Sequence, residues 1–170
     1  MHIRQETIKD YNAVYDLVKE AFASAEHSDG TEQDLVTALR ENKEAFIPEL
    51  SLVAEDKRTI TGHILFTKMK VGSDTVLALA PLAVTPEYQR QGIGTALIQE
   101  GHRIAAELGY SYAVVLGSET YYPRVGYRPA EEFGILIPEG IPPQNYMAIK
   151  LLPQAKPIHG DVTYAKEFGM

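Results

Sequence analysis

The segment Val84-Thr85-Pro86-Glu87-Tyr88-Gln89-Arg90-Gln91-Gly92-Ile93-Gly94-Thr95 constrains this chain more than any other. A β-branched strand pattern stops there and a polar loop with a proline follows. Two glycines then open a stretch with Ile93, Leu97, Ile104 and Leu108 at helical spacing, closed by Gly109. The next segment, Tyr112 to Leu116, is short and apolar like a buried strand. Strand, loop, helix and strand in that order demand a crossover with two parallel neighbouring strands.

The rest of the chain supplies elements to surround this unit. Residues 2–6 read as a strand. Asp10 stands where a helix N-cap belongs, ahead of Tyr11, Val14, Leu17, Val18 and Phe22 at helical spacing. After a loop over 23–30, Thr31 opens a second helix with Leu35, Leu39 and Phe46 on its apolar side and Pro48 as its stop. Strands over 51–55, 60–71 and 75–84 form an antiparallel run turned at 56–59 and 72–74. Pro81 has no N–H for a ladder, so a bulge or a splayed edge is expected there. Strands near 127–130 and 146–151 follow, separated by a Pro- and Gly-rich loop at 137–143, and the tail from 152 to 170 offers one more strand at 162–164. The expectation is one α/β domain of 170 residues, with 45% hydrophobic residues to build its core.

A glycine-flanked turn into a helix aims several backbone N–H groups at one spot, backed by the positive end of the helix dipole, and lets a ligand approach the backbone. That suits a diphosphate, with Arg90 as an added cation; an ordinary strand-to-helix turn is the plainer alternative. Other phosphate motifs fit worse. Gly94 is followed by Thr95-Ala96 rather than the Lys-Ser/Thr of a P-loop. A dinucleotide fingerprint needs a small residue where Leu97 stands, and an antiparallel run precedes the glycines. The net charge of −7 argues against a broad nucleic-acid face. Absence of cysteine removes disulfides, thiolate metal sites and a Cys nucleophile. The opening Met1-His2-Ile3-Arg4-Gln5-Glu6 has no apolar signal core and no run is long enough to span a bilayer, so no membrane partner and a cytoplasmic setting are expected.

Gln89-Arg90-Gln91-Gly92-Ile93-Gly94 resembles the Q/R-x-x-G-x-G/A acetyl-CoA motif of the GNAT superfamily of N-acetyltransferases, and Leu82-Ala83-Val84-Thr85-Pro86-Glu87-Tyr88 its fourth strand and approach loop. Downstream, Tyr121-Tyr122-Pro123-Arg124-Val125-Gly126-Tyr127 is similar to the family's YY-x-x-x-G-F/Y segment, most like that of its YhbS-like subgroup of small bacterial proteins. The resemblance covers roughly residues 2–151. It implies the GNAT fold: a mixed, mostly antiparallel sheet splayed at strands 4 and 5 and flanked by helices. It implies acetyl-CoA as co-substrate, no metal, and direct transfer to a small-molecule or peptide amine in a ternary complex. Homodimers are compatible with the family but no motif here supports one.

By the same resemblance the backbone of Gln89, Arg90, Gln91, Gly92, Ile93, Gly94 and Thr95 grips the cofactor, and N–H groups of Leu82, Ala83 and Val84 polarise the thioester carbonyl. Tyr122, four residues before Gly126, is the general acid for the leaving thiolate, with Tyr121 left to packing or acceptor contact. The Asn that many relatives carry after the fifth strand is missing from Gly117-Ser118-Glu119-Thr120. The base is open. The strand over 75–84 has no carboxylate, and Glu119 is the nearest acid, with a solvated loop glutamate as the plainer reading. Glu26 and His27 sit in the loop between the first helices, while His63 on a strand and His102 on a helix surface read as structural. A water chain is the remaining option. The competing class is a binding module that senses acyl-CoA without turnover; retention of Tyr122 argues for the enzyme.

Overall fold

The computed structural model describes residues 1–25 and 28–170; Glu26 and His27 lie outside the described residues. Strand β1 (His2–Gln5) runs into a turn in which Thr7 caps a short 3-10 helix, Ile8–Asp10. The carboxylate of Asp10 accepts the Thr7 backbone N–H at 2.7 Å, the reciprocal half of a capping box. Asp10 is the N-cap residue of the helix that starts at Tyr11, as expected, but its side chain makes no cap bond to that helix and serves the Thr7 turn instead. Helices α1 (Tyr11–Phe22) and α2 (Glu32–Glu41) follow.

Phe46 and Pro48 belong to strand β2 (Phe46–Asp56), not to the end of α2. Register with β3 (Thr59–Val71) jumps from Phe46↔Thr67 to Ser51↔Leu65. Pro48 sits inside that irregularity, where no ladder donor is required of it, so the strand tolerates the proline that was expected to end a helix.

Strand β4 (Asp74–Val84) pairs antiparallel with β3 and carries a register break opposite Ile64–Phe66, at Pro81. Helix α3 (Ile93–Glu107) leads to β5 (Tyr112–Leu116), which is parallel to β4 and paired with it only at Leu77↔Ala113 and Ala78↔Val114. Beyond Ala78 the two strands part, as Pro81 led one to expect. Strands β6 (Arg128–Pro129), β7 (Tyr146–Lys150) and β8 (Val162–Thr163) complete a sheet of order β1-β2-β3-β4-β5-β7-β6, with β8 on β3.

Helix α3 covers one face of this sheet through Ile93, Leu97, Ile98 and Ala105, packed with Leu52, Ile64, Phe66, Leu77 and Val115. Gly101 is required in that stripe, because a Cβ there would meet the Phe66 ring at 2.2 Å. Of the residues expected on this face, Ile93, Leu97 and Ile104 pack on the core, while Leu108, at the C-cap, is exposed. Helices α1 and α2 cover the opposite face through Val14, Leu17, Val36 and Leu39, against Val53, Leu65 and Ala83. A third cluster around Val114, Tyr146, Ala148 and Ile158 fills the β5–β7 half.

Candidate functional site

The splay between β4 and β5 opens beside the N-terminus of α3. A cleft of about 590 Å³ there is lined by Leu82, Val84, Tyr88, Gln89, Arg90, Gly92, Ile93, Gly94, Thr95, Tyr121 and Arg124. Its floor is explained by strand register. Thr85 donates its backbone N–H to Thr61 at 2.9 Å, and Ala83 stands opposite His63. Bonding alternates along an antiparallel ladder, so Ala83 is turned to β3 while the N–H groups of Leu82 and Val84 point away from it, into the gap that β5 leaves open. The Val84 carbonyl, turned the same way, is met by the Gln89 side-chain amide at 3.0 Å, which braces the approach loop.

The wall is the start of α3. Gly92 is left-handed at φ 86° and provides no side-chain cap, and the first internal bond is from Ala96 N–H to the Gly92 carbonyl at 3.0 Å. The N–H groups of Ile93, Gly94 and Thr95 thus lack intrahelical acceptors and face the cleft with the dipole behind them. Arg90 is also left-handed, at φ 64°, which is uncommon without glycine and turns the loop sharply before the helix. Arg90 from the loop and Arg124 from the 3-10 turn Tyr122–Val125 bring two guanidinium groups to the same cleft. A Cβ on Gly94 would lie 3.1 Å from the Tyr121 hydroxyl, 3.7 Å from Leu82 and 3.8 Å from Val84, so the glycine keeps the narrow part of the cleft open.

Of the sequence-derived set, Leu82, Val84, Gln89, Arg90, Gly92, Ile93, Gly94 and Thr95 come together in this lining; Ala83, Gln91, Tyr122 and Glu119 do not. Ala83 is buried towards α1, and Gln91 is exposed with its amide turned back to the Glu87 carbonyl at 3.4 Å. Tyr121, left open between packing and acceptor contact, lines the cleft, and Tyr88 and Arg124 join it without having been expected there. Arg124 was signalled only by its place two residues after Tyr122 in the same motif.

Tyr121 belongs to the lining, whereas Tyr122 and Tyr127 lie outside it. The Tyr121 hydroxyl shares a hydrogen bond with Thr95 Oγ1 at 3.0 Å. The Tyr122 ring stands edge-to-face with Tyr121 at 5.1 Å and with Tyr127 at 5.6 Å. Burial, and secondarily the neighbouring Tyr121, pushes the Tyr122 phenol well above the ordinary tyrosine range, so it stays protonated. Glu119 is exposed on the loop after β5 and outside the lining.

His63 and His102 are structural. His63 is fully buried, 3.2 Å from Ser51 Oγ and 3.7 Å from Glu6. His102 is not the surface residue expected on α3: it is partly buried and bonds the Tyr127 hydroxyl at 2.9 Å through Nε2. Burial lowers both imidazoles to about 4. Among the described residues no group of three His, Asp or Glu side chains could hold a metal ion, and no helix is long and apolar enough to cross a membrane.

A model of the acetyltransferase (GNAT) family matches residues 11–127. The chain is 43% identical over 119 residues to the uncharacterized N-acetyltransferase YjhQ of Escherichia coli strain K12, an alignment covering 67% of this chain and 65% of that relative, just under two thirds of its length. It is 33% identical over 133 residues to the uncharacterized N-acetyltransferase YhbS of the same strain, covering 76% of this chain and 75% of YhbS. Among solved structures it superposes on a GNAT family acetyltransferase from Brucella melitensis in complex with acetyl-CoA, with TM-score 0.82, 31% identity and coverage of 98% and 97% of the two chains. The Escherichia coli YhbS structure in complex with CoA gives TM-score 0.88, 28% identity and coverage of 99% and 92%. A sheet splayed at β4 and β5, a glycine-opened helix beside the splay and these matches lead to one conclusion: the chain belongs to the GNAT family of acetyltransferases.

Proposed function

We propose that this protein, as one acetyltransferase domain over residues 1–170, moves an acetyl group from acetyl-CoA directly to an amine in a ternary complex. The observation that carries the reading is the convergence, in one cleft, of the unpaired Leu82 and Val84 N–H groups with the open N-terminus of α3. An acyl thioester supplies an activated carbonyl and a thiolate leaving group. On the protein side, the N–H groups at 92–95, with Arg90 and Arg124, suit a diphosphate. The open edge of β4 offers strand-like donors to a pantetheine amide or a developing oxyanion. A donor of the latter kind is worth roughly 3–4 kcal/mol of barrier.

Tyr122 holds the proton for the departing sulfur. A free thiol titrates near 8.5 and an ordinary phenol near 10, and burial keeps this phenol neutral. Among the described residues the lining holds no carboxylate, so deprotonation of the amine falls to water, with Glu119 on the adjoining loop as the candidate acid. If water suffices, Glu119→Gln keeps turnover within about twofold, whereas loss of a general base costs about 10²-fold or more.

The test is a panel of polyamines, aminoglycosides, amino acids and peptide N-termini, read by free-thiol release, with binding followed by thermal shift. Gly94→Val is expected to abolish the acetyl-CoA shift, because added methyl groups fill the space between Leu82, Val84 and Tyr121. Undiminished binding by that variant would overturn the cradle. Binding without thiol release across the whole panel would favour an acyl-CoA sensor instead.

A further inference from the structure

We propose that Tyr121 and Tyr127 are positioning residues that pin Tyr122 along helix α3, one through Thr95 and the other through His102. The inference rests on the reading of Tyr122 as the proton donor and adds what holds it.

Thr95 and His102 are seven residues apart on α3, so they share one face two turns apart, roughly 10 Å along the axis. Each receives a phenol: Tyr121 bonds Thr95 Oγ1 at 3.0 Å, and Tyr127 bonds His102 Nε2 at 2.9 Å. Tyr122 stands between these pins. Its ring meets Tyr121 at an interplanar angle of 74° and Tyr127 at 76°, the edge-to-face geometry that aromatic quadrupoles favour. Gly117 closes a third side so tightly that a Cβ there would lie 2.5 Å from the Tyr122 ring.

Of the three hydroxyls, the two outer ones are spent on anchoring. Among the described residues that of Tyr122 bonds none, which leaves it available. The pins also hold one state across neutral pH. Burial keeps His102 uncharged, and burial raises the Tyr127 phenol well above its ordinary value. The pair of tyrosines in the motif is thus divided by role, with one hydroxyl fixing the frame and its neighbour left for chemistry.

The test uses Tyr121→Phe and Tyr127→Phe, which keep the rings, and Thr95→Val as the partner of the first. Each Tyr→Phe variant is expected to lower kcat about tenfold with KM for acetyl-CoA within about twofold. Thr95→Val should lower kcat alike and add nothing to Tyr121→Phe. In a Tyr122→Phe background neither Tyr→Phe change should lower kcat further, because both act through the missing hydroxyl. Ultraviolet difference titration of Tyr122, as each protein minus its Tyr122→Phe counterpart, gives a readout that needs no turnover. The pinned phenol should titrate higher than the same phenol in either unpinned variant.

Full kcat in both variants, an undiminished loss in the Tyr122→Phe background, or an unmoved titration overturns the proposal. If the wild type releases no thiol with any amine, the acetyl-transfer reading fails by itself and the titration still decides the positioning.

Discussion

The environment of Tyr122 supports the chemical use proposed for it. A phenol in water is a weak acid with no preferred partner, while this one is pressed between two other tyrosines and against Gly117. Burial keeps the proton on the phenol at neutral pH, and in the proposed reaction that proton is offered as negative charge builds on the departing sulfur. Tyr122→Phe keeps the ring and its contacts and removes the proton. The chemical step should fall by at least about 10²-fold with acetyl-CoA affinity nearly intact. Single-turnover kinetics with a binding isotherm checks this, and near wild-type turnover would defeat the assignment.

At the level of elements, a buried polar knot joins β1, α2, β2 and β3. Glu6 accepts two bonds from Arg40, at 2.8 and 2.9 Å, and one from Ser51 at 2.6 Å, while the Arg40 guanidinium lies 3.9 Å over the Tyr11 ring. His63 approaches this carboxylate but is no ion-pair partner. Desolvation, with a smaller repulsion from Arg40, outweighs the pull of Glu6 and lowers it to about 4. The folded imidazole is neutral where an unfolded one near 6.5 is protonated, so the unfolded state binds more protons between those values. Stability should hold above about pH 6.5 and decline as pH falls towards 4. At 1.36 kcal/mol per unit, His63 contributes up to roughly 3 kcal/mol of that decline. His102 adds to it with the same sign. Melting temperatures from pH 7 to 4 should therefore slope downward, less steeply in His63→Gln, and a flat wild-type profile would rule the account out.

Across the whole molecule, the tail ties the C-terminal half of the sheet to α2. Gly160 bridges Ile135, donating to the Gly134 carbonyl at 3.1 Å and accepting from Leu136 at 3.0 Å. Then β8 pairs with β3, the Tyr164 hydroxyl meets that of Tyr146 at 2.7 Å, and Glu167 accepts from the Asn42 amide at 2.8 Å. The crossing leaves no room for a side chain: a Cβ on Gly160 would lie 2.8 Å from the Gly72 Cα, at a φ of 140° that other residues rarely adopt. Gly160→Ala should cost about 1–3 kcal/mol, a fall on the order of 5 °C for a domain of this size. Gly140→Ala is a matched control, left-handed at φ 87° but with nothing near its Cβ, and should cost less. Calorimetry of the pair separates steric contact from backbone strain; equal losses would contradict the tight crossing.

What the sequence determined by itself was local. Period and punctuation located α3, the β3–β4 hairpin and the crossover, because side-chain alternation and glycine turns are properties of neighbouring residues. The splay was legible for a similar reason, since Pro81 cannot serve a ladder wherever it lies. The misreadings all came where a distant partner overrode a local signal. Pro48 was accommodated by a register jump against β3, and His102, expected on a helix surface, was drawn in by the Tyr127 hydroxyl. The same holds in the site. The glycine cradle was readable because it is contiguous. Exclusion of Ala83, entry of Arg124 and anchoring of Tyr121 and Tyr127 on α3 depend on which edge of β4 its neighbour leaves open and on how far β5 swings away. Tertiary structure alone decides these, because each requires residues far apart in the chain to meet at hydrogen-bonding distance.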